Sequence, residues 1–141
     1  MDERNQFIGI WRLMKWTAKQ VDGQVLYPYG EDAVGQILYD AKGNVMVEIM
    51  KQQRKLFASN DFLHGTAEEI LSAYNGFIAY CGTYDIDLVA KRVIHHIKIS
   101  SFPNWVGQDQ IRYYDFQNGS LRLRAPAIGT AQHELIWQKI Q

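Results

Sequence analysis

Apolar and polar side chains alternate with a period of two through most of this chain, and that pattern leaves few folds open to it. It runs through residues 7–17, 35–40, 44–51, 82–88, 92–101, 110–116, 120–125 and 133–140, with a short apolar return at 25–27. Between the runs lie residues suited to tight turns: Asp22-Gly23, Ala41-Lys42-Gly43, Val89-Ala90-Lys91 and Gln117-Asn118-Gly119. The alternation puts one face of each segment in water and the other against a core, as in antiparallel rather than parallel sheets. About eight such strands close into a barrel just wide enough for one small ligand. The chain is therefore predicted to be mainly β, an antiparallel barrel.

One stretch follows a different period. Thr66-Ala67-Glu68-Glu69 has the pattern of a helix start, with Thr66 as the cap and Glu69 three residues on. Ile70, Tyr74, Phe77, Ile78 and Cys81 then recur at helical spacing, which predicts a helix over residues 66–80 with one apolar face. Such a helix serves either as a plug for apolar surface or as a lid over a cavity. Lys51, Arg54 and Lys55, just ahead of it, read as a solvated loop.

The length of 141 residues suits a single domain, 1–141, able to bury one core. Fifteen basic residues balance fifteen acidic ones, so the broad positive field used in nucleic-acid binding is missing and nucleic acid is not an expected partner. Cys81 is the only cysteine, which excludes an intrachain disulfide. Residues 2–6, Asp2-Glu3-Arg4-Asn5-Gln6, are charged or polar where a secretory leader needs an apolar core, and no apolar run is long enough to span a bilayer. A cytoplasmic protein is expected, and a homodimer is compatible with the sequence. Neither a phosphate-cradling glycine loop nor a Gly-x-Ser-x-Gly elbow occurs, so no cofactor is expected.

Strand parity sorts side chains into barrel interior and exterior. Lys98 facing water places Val93, His95, Ile97 and Ile99 inside; Asp85 and Asp87 facing out leave Tyr84, Ile86 and Leu88 inside. Asp115 outward turns Arg112, Tyr114 and Phe116 inward, with Leu121, Leu123, His133, Leu135 and Trp137 from the last strands and Val45, Val47 and Ile49 from an early one. Apolar walls with a few polar groups, here Tyr84, His95, Arg112, Tyr114 and His133, are the make-up of a small-molecule pocket. They are equally the make-up of a packed core whose polar groups find partners. His95 and His96 are adjacent on a strand and point to opposite faces, so they cannot ligate one metal ion together. The apolar connection Ser101-Phe102-Pro103-Asn104-Trp105-Val106-Gly107 is either a stiff corner that folds Trp105 onto the barrel or a mouth loop presenting Asn104 and Trp105.

Gly9-Ile10-Trp11 near the start of the first strand has the Gly-x-Trp spacing that marks lipocalins. Together with Tyr27-Pro28-Tyr29-Gly30-Glu31-Asp32-Ala33-Val34-Gly35, Tyr80-Cys81-Gly82-Thr83-Tyr84 and the Ser101–Gly107 segment, the chain resembles the lipocalin-like domain family of small bacterial and fungal barrels. The resemblance implies a lipocalin-like barrel that binds a small molecule. It also implies that Trp11 fills the closed end under an arginine, for which Arg112 and Arg124 are the candidates.

Two functions follow. As a binding module the barrel would hold a hydrophobic or aromatic ligand, contacted by Tyr84, His95, Arg112, Tyr114, Asn104, Trp105 and Trp137. As a cofactor-independent isomerase or cyclase it would use His95 as acid or base, Tyr84 as proton donor and Arg112 as anchor for a carboxylate or enolate.

Overall fold

The computed structural model describes residues 2–126 and 131–140. Among the described residues, nine strands and one α-helix occur in the order β1 Gly9–Gln20, β2 Val25–Leu26, β3 Val34–Tyr39, β4 Asn44–Met50, α1 Ala67–Asn75, β5 Phe77–Asp87, β6 Arg92–Ser100, β7 Asp109–Gln117, β8 Ser120–Arg124 and β9 Ala131–Lys139. From β3 to β9 each strand pairs antiparallel with the next, and β1 pairs with both β3 and β9. The β1–β9 ladder runs from Trp11 opposite Lys139 to Gln20 opposite Ala131, so the sheet closes on itself. The short β2 adds only two pairs, to Ala18 and Lys19, outside the eight-stranded closed barrel. Closure leaves the eight strands without a free edge. The turn between β7 and β8 is made by Asn118 and Gly119, both in the left-handed region that a two-residue hairpin turn requires.

Alternation decides the interior. Val45, Val47 and Ile49, Ile37 and Tyr39, Val93, His95 and Ile97, and Leu121 and Leu123 are all buried. Two bulges shift it. One between Leu13 and Lys15 moves the inward set of β1 from Trp11 and Leu13 to Trp16 and Ala18. The other puts Lys98 as an extra residue in β6, with Ile97 opposite Gly82 and Ile99 opposite Cys81. Ile99, which strict alternation places inside, is turned outward and is 68% exposed.

The helix is shorter than its spacing predicts. Thr66 and Glu69 form the expected capping box, but α1 stops at Asn75 and Gly76 caps it. Phe77, Ile78 and Cys81 lie on β5, paired with Met50, Ile49 and Met46 of β4. Their spacing suits either element; the sheet wins because it satisfies the backbone of β4 and buries Tyr80. Ile70 and Tyr74 are about half exposed, so the helix does not pack an apolar face on the barrel. Arg54 is not simply solvated: it donates to the Ala73 carbonyl in the last turn of α1 and lies over the Phe77 ring.

A short 3-10 turn, Glu3–Gln6, carries Phe7 across one end of the barrel, where it is fully buried. Its ring meets Tyr39, Tyr114 and Phe116 edge-on at centroid distances of 5.3, 4.8 and 5.0 Å. Trp11 sits at this closed end, its Nε1 donating to the Phe7 carbonyl at 2.8 Å. The cation over Trp11 is Lys139, 5.0 Å from the ring centroid, not Arg112 or Arg124. No helix among the described residues is long and apolar enough to cross a membrane.

Candidate ligand-binding site

Away from the Phe7 plug, the inward-facing residues leave a cavity of about 300 Å³. Its apolar walls come from Ile37, Val47, Ile49, Ile78, Leu123 and Leu135. Aromatic rings supply much of the rest: Trp16 from β1, Tyr29 from the loop before β3, Tyr80 from β5, Trp105 from the 3-10 turn Pro103–Trp105, and Trp137 from β9. Trp16, Tyr29 and Trp105 are half-buried. Trp105 meets the Tyr80 ring edge-on at 5.8 Å. The Trp137 ring is buried, and its Nε1–H has no hydrogen-bond partner among the described residues.

Besides the Tyr29 hydroxyl and the indole nitrogens, the polar groups in the wall are Tyr80, His95, Arg112 and His133. His95 is 1% exposed and held on both sides: Tyr39 Oη lies 2.7 Å from Nε2 and Tyr80 Oη 2.7 Å from Nδ1. Burial, followed by the nearby Arg112 charge, lowers its pKa to about 3, so the imidazole is neutral at physiological pH. A neutral imidazole has one N–H donor and one lone-pair acceptor. The three groups therefore hold three hydrogens but share only two hydrogen bonds. One tyrosine accepts from the ring, and its own hydroxyl hydrogen is left over. Tyr39 lies behind the cavity wall and contacts Phe7 and Tyr84, whereas Tyr80 lines the cavity. Only at Tyr80 does the surplus hydrogen have space in which to meet an acceptor. His133 Nδ1 accepts from Trp16 Nε1 at 3.0 Å, which puts the His133 hydrogen on Nε2. Burial and then Arg112 also lower the pKa of His133.

Of the residues singled out in the sequence, His95, Arg112, Trp105 and Trp137 line this cavity. Tyr84, Tyr114 and Asn104 do not. Tyr84 lines a separate shallow pocket, and its hydroxyl donates to the Asp40 carbonyl at 2.7 Å. Tyr114 belongs to the closed end, where its hydroxyl donates to Glu3 at 3.0 Å; burial and then that bond push its pKa up to about 12. Asn104 is exposed on the connecting turn. Tyr84 and His95 therefore do not line the same cavity, the arrangement an acid–base pair on one substrate needs. Sequence reasoning missed Tyr80, hidden in the expected helix, and Tyr39, whose place was readable from Gly35-x-Ile37-x-Tyr39. Trp16 was hidden by the bulge that breaks parity after Leu13.

The model of the family described as "Lipocalin-like domain" matches residues 8–140. A protein of Aspergillus oryzae named "4'-hydroxy-3'-methoxypropiophenone carrier protein" is 31% identical over 104 residues, 66% of this chain and 94% of that protein. Among solved structures, a lipocalin-like protein from Bacteroides uniformis has a TM-score of 0.51 at 12% identity, covering 96% of this chain and 99% of its own. A de novo designed fluorescence-activating β-barrel has a TM-score of 0.50 at 11% identity, covering 99% and 98% of the two chains. At those identities the structural likenesses show the fold alone.

Proposed function

Because this chain belongs to the lipocalin-like domain family, we propose that it binds a small, mainly apolar aromatic molecule inside the barrel. The observation that carries this reading is the ring-lined cavity of about 300 Å³, bounded by Trp16, Tyr29, Tyr80, Trp105 and Trp137 and ending on the polar groups at His95 and Arg112. Apolar walls supply affinity and the few polar groups supply orientation. The relative named as a carrier of a hydroxy-methoxypropiophenone gives the reading independent support, since that named compound is a small aryl ketone with both apolar and polar parts.

The test is calorimetric titration of the purified protein with 4'-hydroxy-3'-methoxypropiophenone, the compound in that name. Saturable one-to-one binding is expected in the wild type. Val47→Phe, which puts a ring into the cavity from β4, should abolish it while the protein still melts cooperatively. Absence of binding in the wild type, or equal binding in the filled variant, would remove the cavity from the function.

A further inference from the structure

Arg112 projects inward from β7, on the same face as buried Tyr114 and opposite Val93 of β6. A guanidinium is a planar cation that donates hydrogen bonds and accepts none. Its hydrogen bonds go to two neutral acceptors, the Ile111 carbonyl at 2.9 Å and Gln110 Oε1 at 3.3 Å. The titratable groups that share the cavity with it are Tyr29 from the loop before β3, Tyr80 from β5, His95 from β6 and His133 from β9. None is an acid. Among the described residues, no carboxylate lines the cavity and no ion pair reaches Arg112. Among the described lining residues, Arg112 is the one Asp, Glu, Lys or Arg side chain, so its counter-charge is not in the cavity wall. A partly buried cation without a counter-charge is unfavourable, and an anion supplied from outside relieves it.

The hydrogen count at His95 points the same way. In the tautomer where Tyr39 donates to Nε2 and Nδ1–H donates to Tyr80, the Tyr80 hydroxyl is left as a donor toward the cavity it lines. A cation and a spare neutral donor in one apolar chamber are the two components of an oxyanion site.

We infer that the cavity takes its occupant as an anion, an aromatic molecule whose ionised oxygen, on a ring hydroxyl or a ring carboxyl, is neutralised by Arg112 and accepts from Tyr80. This rests on the reading that the cavity binds aromatic molecules, and it adds the ionisation state. A phenol is therefore bound as phenolate at a pH where it is neutral in solution, its proton passing to solvent on entry.

Three probes of similar shape separate the outcomes: 4-nitrophenol, 4-nitrobenzoate and the non-ionisable 4-nitroanisole. At a pH below the solution pKa of 4-nitrophenol, the bound probe should show the yellow phenolate band. At least one of the two anions should bind about tenfold or more tightly than 4-nitroanisole, in line with the stabilisation one close opposite charge gives. Which anion does so assigns the oxygen to phenol or carboxyl. Arg112→Gln should bring that anion down to the 4-nitroanisole level, and Arg112→Lys should keep part of the preference. Equal binding of all three probes by the wild type would overturn the inference and leave aromatic binding standing. Failure of all three to bind would overturn both. The wild-type comparison decides even if the Arg112 variants do not fold.

Discussion

Tyr39 and Tyr80 bond the same imidazole but have different surroundings, one sealed behind the wall and one open to the cavity. Removing either hydroxyl leaves a buried ring nitrogen without its partner, a loss of about 1–3 kcal/mol. Tyr39→Phe is expected to reduce stability in urea and leave 4-nitrophenol affinity nearly unchanged, whereas Tyr80→Phe should reduce both. Equal affinity in the two variants would show that the spare donor is not at Tyr80. Trp11, at the far end, is a packing residue: Trp11→Ala is expected to lose about 3–5 kcal/mol in denaturant titration. The binding of whatever protein remains folded should be intact, and a weakened affinity there would count against a division between plug and cavity. His95 was legible in the sequence because Val93 and Ile97 flank it at the strand period and both are buried. Tyr80 was not legible, because a tyrosine between Ile78 and Gly82 satisfies a helical and an extended pattern alike.

The limits of strand parity show most clearly where β5 and β6 meet. Alternation gives the direction of every side chain in a regular strand, which is why β4, β7 and β8 could be read directly. It carries no mark of an inserted residue, so Lys98 faces water as expected but everything beyond it in β6 reverses without warning. The one local trace of that bulge is Gly82: a methyl group there would collide with the His96 carbonyl oxygen in the neighbouring strand backbone. Gly82→Ala is therefore expected to destabilise the barrel by about 2 kcal/mol or more, far beyond an exposed-strand glycine. A melting temperature within a degree of wild type would mean that the two strands can separate freely at this point. Helix α1 was legible only at its start, where side chains specify the cap. Its end is decided by the hydrogen-bonding needs of β4, a non-local matter.

Over the whole molecule, two neighbouring histidines set opposite limits on stability. His95 is buried and its pKa is lowered to about 3, so between that value and the ordinary 6.5 the unfolded chain binds the extra proton. Its contribution is complete above pH 6.5 and is lost as the pH falls toward 3, by several kcal/mol in total. His96 lies on the outer face between Asp109 at 2.7 Å and Asp85 at 2.8 Å, and these bonds raise its pKa. Its smaller contribution is present below 6.5 and is lost as the pH rises through the raised value. Urea midpoints measured across pH should fall steeply on the acid side and gently on the alkaline side, and His96→Gln should remove the gentle decline alone. A variant that keeps that decline would show that Asp85 and Asp109 do not hold the charged ring. The distribution of tryptophan has another consequence. Three of the four indoles, Trp16, Trp105 and Trp137, face the cavity, while Trp11 is shut away at the plug. The barrel thus carries its own optical gauge: any occupant that absorbs in the near ultraviolet should quench three emitters at close range, and the Trp11 emission remaining at saturation should serve as the internal reference.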